Sequence, residues 1–399
     1  MNESLITNQL IFDKNMKLQN LEYHNQDYEW KLNPVEFTTN PTLLVGISGA
    51  GKTQIIRSIF NLKKIVNGAS LNGVKWNTTF STENGTIYRW QGEFETQKSF
   101  IRSEQDLNLE FQIINEKLYK NQEIIINRKG EDIIFKGTST PKLSPNKSAL
   151  HLLKLEEDIG PATEEINKII LADAYLKYVQ QQISTVSVSL LNKYKNSSLS
   201  EIQKSELPLP IKLSLVYQNS LDVFQLIKQR FIQIFSIIED IKIEPLNLED
   251  MAIPVFLAEF FKESTVVHIK EKGVNNWITQ SNISSGMLKT LMYISELYLS
   301  PKGSVILIDE FENSLGANCL ESMTEIVKEN KDLQFILTSH HPYIINNIST
   351  KHWKIVTRQG GVVQVKDPQE LGISKSREKA FIDLINILED YPELEGDGE

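Results

Sequence analysis

One segment of this sequence has the residue types and spacing of a phosphate-binding loop. Residues 46–53 read Gly-Ile-Ser-Gly-Ala-Gly-Lys-Thr, which fits the pattern G-x-x-x-x-G-K-[ST] in full. Glycines allow the backbone to curl until successive N–H groups point at phosphate oxygens. We expect Lys52 to reach the β- and γ-phosphates and Thr53 to hold Mg²⁺. The predicted nucleotide contacts in this loop are Gly46, Ser48, Gly49, Ala50, Gly51, Lys52, Thr53 and Gln54.

A second segment, residues 304–310, reads Ser-Val-Ile-Leu-Ile-Asp-Glu, an apolar strand that ends in two carboxylates. Adjacent carboxylates at the end of a buried strand are costly to desolvate unless they face a cation or a polar site. Beside a complete phosphate loop, we expect Asp309 to bind Mg²⁺ through water and Glu310 to polarise the attacking water. The alternative is a strand that simply emerges into solvent at these two residues.

A third apolar strand is followed by two histidines. The segment Phe335-Ile-Leu-Thr-Ser-His-His-Pro342 places His340 nearest the strand end. A histidine there can donate a hydrogen bond to a γ-phosphate or to an attacking water, so His340 is the predicted catalytic histidine. His341 precedes a proline, which restricts its backbone, and is expected only to shape the turn.

Residues 283–287, Ile-Ser-Ser-Gly-Met, stand at the start of a predicted helix. The ordinary explanation is an N-cap, in which a serine accepts a hydrogen bond from a free N–H of the first turn. The alternative is that this helix start faces a phosphate group. The segment by itself does not decide between the two.

The elements that must position these residues alternate between strand and helix in two separate parts of the chain. This alternation predicts a parallel sheet covered by helices, and neither part has enough strands alone, so both must meet in one sheet. The predicted segments are an N-terminal half-lobe at 1–72, an antiparallel β section at 73–138, a polar linker at 138–148, a helical insertion at 149–262, a C-terminal half-lobe at 263–366, and a helix with an acidic tail at 367–399.

Composition narrows the class of protein further. The chain has 399 residues, a net charge of -9 and a single cysteine, Cys319, so we expect no internal disulfide and a reducing compartment. We see no signal peptide and no membrane-length apolar run, and we expect a cytoplasmic protein without membrane contact. The negative charge argues against wrapping nucleic acid over the whole surface, although a local basic groove would survive it.

The motifs resemble those of ABC-type ATPases of the RecF, SMC and OLD-like group, and they occur in that family's order. The resemblance implies an α/β fold: a P-loop ABC-ATPase-like parallel sheet with an antiparallel β subdomain and a helical insertion. It covers both half-lobes and, loosely, the β section. The matching segments are GISGAGKT (46–53), ISSGM (283–287), VILIDE (305–310), ENSLG (312–316) and TSHHPYII (338–345).

The resemblance supplies a role for residues 283–287. In that family, a signature resembling LSGGQ contacts the γ-phosphate of ATP bound to the other subunit. Ser284 would then donate its hydroxyl, and Ser285 and Gly286 would offer backbone N–H groups at a positive helix end. Met287 departs from the usual glutamine at its position, and Gly316 stands where aspartate is common. These departures put in doubt how two sites communicate, not nucleotide binding.

The roles of two further residues, Gln91 and Lys289, are not decided by the sequence. Many members of the family bind Mg²⁺ with a glutamine that follows a strand, and Gln91 is the best-placed candidate here. It lies in an alternating strand, however, which favours the alternative of a solvent-facing residue. Lys289 is expected either on a solvated helix face or near the nucleotide of the second subunit.

The resemblance implies ATP and Mg²⁺ as ligands and a homodimer or higher oligomer driven by ATP. Small stand-alone ATPases of this type often belong to bacterial antiphage systems, so we expect a switch that regulates a separate effector protein, for example a nuclease. One alternative is a RecF- or SMC-like ATPase of DNA repair or recombination, which would bind nucleic acid. Another is a structural ATP-binding module with negligible turnover. A transporter subunit fits the β section and the insertion poorly.

Overall fold

The computed structural model of the protein describes residues 18–97, 110–172, 192–219, 221–245, 265–313 and 315–390. Parts of the predicted N-terminal half-lobe and helical insertion, and the end of the acidic tail, lie outside these residues. In the described part, strands form one 14-stranded and one three-stranded sheet. The strands are β1 Leu18–Asn25, β2 Trp30–Glu36, β3 Thr42–Val45, β4 Val74–Ser81, β5 Ile87–Phe94, β6 Ile113–Lys120, β7 Glu123–Lys129, β8 Asp132–Phe135, β9 Thr138–Ser139, β10 Ile169–Leu171, β11 Ile238–Pro245, β12 Thr265–Glu271, β13 Trp277–Thr279, β14 Val305–Ile308, β15 Gln334–Thr338, β16 Trp353–Gln359 and β17 Val362–Lys366.

Helices cover both faces of the large sheet. Short 3₁₀ turns occur at Gln280–Asn282, Thr350–His352 and Pro368–Leu371. None of the helices in the described ranges is long and apolar enough to cross a membrane. The α-helices are α1 Lys52–Val66, α2 Ala149–Leu152, α3 Gly160–Asn167, α4 Leu199–Lys204, α5 Leu209–Asn219, α6 Leu221–Ile234, α7 Ser285–Leu299, α8 Ala317–Glu329, α9 Pro342–Asn347 and α10 Arg377–Asp390.

The two half-lobes meet in one sheet. Its order is β10-β14-β15-β3-β16-β17-β2-β1-β4-β5-β6-β7-β8-β9, so β3 from the N-terminal half lies between β15 and β16 from the C-terminal half. The four pairings from β10 through β14, β15 and β3 to β16 are all parallel. Parallel strands carry their following loops to the same edge, so the chain segments after β3, β14 and β15 converge. The predicted α/β class is confirmed.

The central strands are apolar on both faces because helices cover both. Leu43 and Leu44 of β3 are fully buried, yet they belong to different cores on opposite faces of the sheet. Helix α1 packs into one core through Ile55, Ile59 and neighbouring residues. Helices α5, α6, α7 and α8 pack into the other. This explains why the sequence of β3 is a continuous apolar run rather than an alternating one.

The antiparallel section is an extension of the main sheet rather than a separate one. Strands β4 to β9 continue outward from β1, each antiparallel to its neighbour. Their buried face carries a cluster of aromatic rings around Trp76 and Trp90, whose centroids lie 5.0 Å apart. Gly92 leaves room for this cluster, since a Cβ there would lie 2.4 Å from Trp76.

The polar segment 138–148, predicted as a linker or mobile loop, is anchored by a buried arginine. The Arg128 guanidinium donates hydrogen bonds to the carbonyl oxygens of Lys147 at 2.6 Å, Ser144 at 3.1 Å and Pro145 at 2.9 Å. One of its amino nitrogens also lies 3.7 Å from a carboxylate oxygen of buried Glu116. The prolines and polar residues predicted a loop, and the hydrogen bonds from Arg128 hold its backbone in place.

Two strands lie inside the interval 149–262, which was predicted as a helical insertion. Strand β10 joins the parallel sheet beside β14, and β11 pairs with β12 in the three-stranded sheet. Strand β10 has only three residues, Ile-Ile-Leu, too few for an alternation signal, and its pairing partner is more than 130 residues away. The interval is therefore not wholly helical, and part of it completes the parallel sheet shared by the two half-lobes.

Candidate active site

The phosphate loop joins the end of β3 to the start of α1, as its sequence context requires. Gly49 and Gly51 have φ angles of 83° and 102°, a left-handed conformation that other residues adopt only with strain. Gly46 has a different reason, because a Cβ there would lie 2.3 Å from the carbonyl oxygen of Val356 in β16. Backbone conformation requires glycine at positions 49 and 51, and close packing against β16 requires it at position 46.

Lys52 lies folded back over the loop. Its ammonium donates hydrogen bonds to the carbonyl oxygens of Gly46 and Ile47, both at 2.8 Å. Burial lowers the pKa of Lys52 to about 8, while the carboxylates of Asp309, Glu312 and Glu310 act in the opposite direction. A buried ammonium that donates to two carbonyl oxygens has a third N–H with which it can donate a charge-assisted hydrogen bond to a phosphate oxygen.

Thr338, at the end of β15, ties the two carboxylate residues together. Its hydroxyl donates to Asp309 Oδ1 at 2.7 Å and accepts the backbone N–H of Glu310, also at 2.7 Å. Glu310 has a φ angle of 50°, unusual for a residue other than glycine. Such a backbone persists only where its surroundings hold it. The hydroxyl of Thr338 is one of the groups that do so, and sequence reasoning did not identify it.

The two histidines have different environments. The backbone N–H of His340 donates to Glu312 Oε1 at 2.6 Å, and its ring lines the same cleft as Lys52. Burial, followed by the charge of Lys52, lowers the pKa of the His340 ring. His341 caps helix α9, where its Nδ1 accepts the N–H of Tyr343 at 3.2 Å. This local structural role agrees with the prediction that His341 shapes the turn.

A cleft of about 210 Å³ brings these groups together. Of the predicted nucleotide contacts in the loop, Gly46 and Ala50 do not line it; Gly46 lies against β16 and Ala50 is buried. Sequence reasoning missed Arg358, since nothing in a strand followed by Gly-Gly indicates a site. The lining residues are Ser48, Gly49, Gly51, Lys52, Thr53, Gln54, Asp309, Glu310, Thr338, His340 and Arg358.

The donor set fits magnesium held mainly by substrate and water. Thr53 and Asp309 both line the cleft, whereas the described residues contain no group of three or more His, Cys, Asp or Glu side chains able to hold a metal by themselves. Mg²⁺ in phosphate sites is bound through one or two protein oxygens, with phosphates and waters completing the shell. Thr53 and Asp309 would hold it here.

Gln91 does not join this set, and the prediction that it ligates Mg²⁺ is wrong. It lies in the middle of β5, paired with Asn77 and Lys117. Strand β5 stands six strands from β3 in the sheet order. Neither Gln91 nor any other residue of β5 lines the cleft that holds Lys52, Asp309 and Glu310.

The segment 284–286 lies outside the cleft of its own chain. Ser284 and Ser285 are exposed, and the Ser284 hydroxyl caps α7 by accepting the N–H of Met287 at 3.2 Å. The cap therefore forms within one chain, as the ordinary N-cap explanation expects. Lys289 is only 3% exposed, with its ammonium 5.1 Å from the centroid of the Tyr293 ring, so the solvated position considered for it is wrong.

Comparisons with known proteins find one family match and several similar solved structures. Residues 189–346 match the family described as "AAA domain, putative AbiEii toxin, Type IV TA system". Among curated proteins, no sequence matches the chain. Similar solved structures include an SMC head bound to the C-terminal winged-helix domain of ScpA, with 14% identity, a TM-score of 0.46, and coverage of 88% of this chain and 97% of that chain. Another is the SMC head domain from Thermotoga maritima, with 14% identity, a TM-score of 0.41, and coverage of 88% and 99%.

Proposed function

We propose that this chain is an ATP-driven switch in which two copies close on two ATP molecules and separate after hydrolysis; the match of residues 189–346 to an AAA-domain family supports the ATPase part. One observation carries the proposal. A single cleft unites a phosphate loop, two carboxylates and a histidine, while the exposed Ser284 and Ser285 stand outside it. The chain thus holds one complete half of a composite site and presents a candidate for the other half elsewhere on its surface.

The chemistry follows from the cleft. Loop N–H groups and Lys52 hold the phosphates, and bound Mg²⁺ would neutralise charge on the β- and γ-phosphate oxygens. Glu310 orients a water and accepts its proton as the water oxygen bonds to the γ-phosphorus. The bond between that phosphorus and the β,γ-bridging oxygen breaks, leaving ADP and phosphate. Thr338 keeps Glu310 and Asp309 in place, so both carboxylates meet the substrate from one strand end.

His340 acts in this scheme as a neutral donor. Burial and the neighbouring Lys52 disfavour the imidazolium form, so the ring is uncharged near neutral pH. A neutral imidazole can donate one N–H to a γ-phosphate oxygen or to the attacking water. Because the ring is neutral, this hydrogen bond adds no charge repulsion with the Lys52 ammonium.

The second copy would contribute its segment 284–286. Helix α7 runs from Ser285 to Leu299, and its positive N-terminal end would face the γ-phosphate across the dimer. These contacts depend on the γ-phosphate, so ATP shifts the population toward the closed dimer and hydrolysis releases it. The proposal uses the hydroxyl and N–H groups that one chain leaves exposed.

The proposed biological role is regulation of a separate effector protein in bacterial defence. The description of the matching family names a toxin of a type IV toxin–antitoxin system, which supports a role in defence. In this proposal the closed and open dimers bind the effector, for example a nuclease, with different affinity. Co-purification from the native host with and without the Glu310→Gln change tests this, and an effector recovered equally in both would contradict it.

Light scattering of Glu310→Gln with and without Mg-ATP tests the dimer. This variant should bind ATP without hydrolysing it, so ATP should double the solution mass. Adding Ser284→Arg should block the doubling, because the larger cationic side chain cannot enter a closed interface. Ser281→Arg, another exposed serine, close to the segment but outside it, serves as the matched control. A solution mass that does not change when ATP binds would contradict the proposed switch. Equal, negligible ATP turnover in wild type and Glu310→Gln would show that the chain binds ATP without hydrolysing it.

A further inference from the structure

Among the described residues, Arg358 is the one arginine that lines the cleft, and nothing in the proposed hydrolysis uses it. It lies near the end of β16, three residues beyond Ile355, which pairs with Val45 at the end of β3. Its side chain is exposed. The described lining thus includes a lysine and an arginine, Lys52 and Arg358, on different elements.

The sheet order separates Arg358 from the hydrolytic groups. Strands β14 and β15, which deliver Asp309, Glu310 and His340, lie on one side of β3. Strand β16, which delivers Arg358, lies on the other side. The γ-phosphate must sit near Glu310 and His340 for hydrolysis. A cation on the opposite flank of the loop consequently faces the phosphates closer to the nucleoside.

The hairpin that carries Arg358 packs directly against the phosphate loop. A Cβ on Gly46 would lie 2.3 Å from the Val356 carbonyl oxygen, and a Cβ on Gly51 would lie 2.7 Å from a methyl group of Val363 in β17. The same position on Gly51 lies 3.1 Å from Gln54 Oε1. Arg358 is thus mounted on a rigid support that contacts both ends of the loop.

The guanidinium is held on one side and open on the other. Its Nε donates to the Gly360 carbonyl oxygen at 2.7 Å, which fixes the plane of the group near the β16–β17 turn. Within the described part of the chain, its remaining N–H groups have no hydrogen-bond or carboxylate partner. An oriented arginine with free terminal donors is suited to bind phosphate through two parallel hydrogen bonds.

We propose that Arg358 binds the α- and β-phosphates of the nucleotide and so contributes to the affinity for ADP as well as ATP. This rests on the proposed function, because it assumes that the cleft binds ATP. Groups on the two sides of the phosphate loop would then contact different phosphates. Groups on β14 and β15 recognise the phosphate that hydrolysis removes, and Arg358 recognises the part that both nucleotides share. ADP release, not only hydrolysis, would then depend on this residue.

Calorimetric titration with ATP and ADP tests the inference, using Glu310→Gln as the background to prevent turnover. Arg358→Ala should weaken both nucleotides by about ten-fold, the scale of a charge-assisted hydrogen bond. Arg358→Lys should lose less, since it keeps the charge but not the paired donors. Arg89→Ala changes an exposed arginine in β5 that does not line the cleft, and this variant should bind as the background does.

The possible results separate the two proposals. Weakened ATP binding with unchanged ADP binding would place Arg358 at the γ-phosphate and overturn the inference. Unchanged affinity for both nucleotides would also overturn it, while leaving ATP binding at the phosphate loop intact. If the background protein and wild type bind neither nucleotide, the proposed function fails first and this inference falls with it.

Discussion

The Thr338 hydroxyl lies 2.7 Å from Asp309 Oδ1 and donates a hydrogen bond to it, across neighbouring parallel strands. The same oxygen accepts the N–H of Glu310 at 2.7 Å. One buried side chain therefore orients a predicted Mg²⁺ ligand and holds the left-handed backbone of the predicted catalytic carboxylate. The two acidic residues of the strand end act as a unit because a single hydroxyl on the adjacent strand contacts both.

Replacing Thr338 by valine should lower both stability and turnover. The change keeps the shape but leaves the Glu310 N–H without its acceptor, which should lower the free energy of unfolding by about 1–3 kcal/mol. ATP turnover should fall further than nucleotide affinity, because the carboxylates lose their orientation while the loop is unchanged. Thr338→Ser retains the hydroxyl and should keep most of the turnover. Steady-state kinetics and denaturant unfolding measure both effects, and wild-type turnover in Thr338→Val would contradict the positioning role.

ATP binding should take up a proton at alkaline pH. The pKa of Lys52 is lowered to about 8 by burial, so above that pH much of the side chain is neutral in the free protein. Phosphate oxygens favour the ammonium form and raise this pKa. Calorimetry at pH 8.5 in two buffers of different ionisation enthalpy should therefore show proton uptake, which should vanish near pH 7. Lys212→Met is the matched control, because the pKa of Lys212 is also lowered to about 8 but its ammonium bonds Gln203 away from the cleft.

The same shift sets how Lys52 contributes to stability. Because the folded pKa is lower than the unfolded value of 10.5, the unfolded chain binds more protons between about pH 8 and 10.5. The contribution of this group to the free energy of unfolding therefore rises with pH across that window. Below pH 8 the full cost of burying the ammonium applies. Saturating ATP should reduce this pH dependence, and a slope unaffected by ATP would contradict the assignment.

The two histidines should differ sharply in effect. His340→Ala should reduce ATP turnover strongly because its ring lines the cleft, whereas His341→Ala should leave turnover near that of the parent. The second change should instead lower stability by about 1 kcal/mol, the usual value of a helix cap. Since the pKa of His340 is lowered, turnover should not depend on its titration between pH 7 and 8. If His340→Ala and His341→Ala lost ATP turnover equally, the assignment of His340 as the catalytic histidine would be contradicted.

The buried pair Glu116 and Arg128 should be important for folding but not for nucleotide affinity. Both side chains are fully buried, and Glu116 also accepts hydrogen bonds from Trp90 at 2.9 Å and the Ala149 N–H at 2.7 Å. Arg128→Met leaves that carboxylate without its cation and should cost about 3–5 kcal/mol of stability. ATP affinity of the folded fraction should be unchanged, since neither side chain lines the cleft. Lys142→Ala, which breaks the exposed pair with Glu131, is the control and should have no measurable effect.

The sequence alone determined the elements whose signals are local. The phosphate loop between β3 and α1, the strand that ends at Asp309, and helix α7 with its serine cap all occur where motif and periodicity predict them. Their geometry depends on backbone preferences and on neighbours within a few residues. A glycine favours a positive φ and a serine favours a helix start through the residue type alone, so both can be predicted from the local sequence.

Only the tertiary structure decided which distant residues meet. Thr338 and Arg358 reach the cleft because β15 and β16 flank β3, a strand order that no local pattern encodes. Strand pairing also places Gln91 between Asn77 and Lys117 in the middle of β5, where it does not line the cleft. Lys289 is buried because other elements cover its helix face. Local sequence thus specified the chemistry at each strand end, and long-range strand pairing selected which strand ends share one cleft.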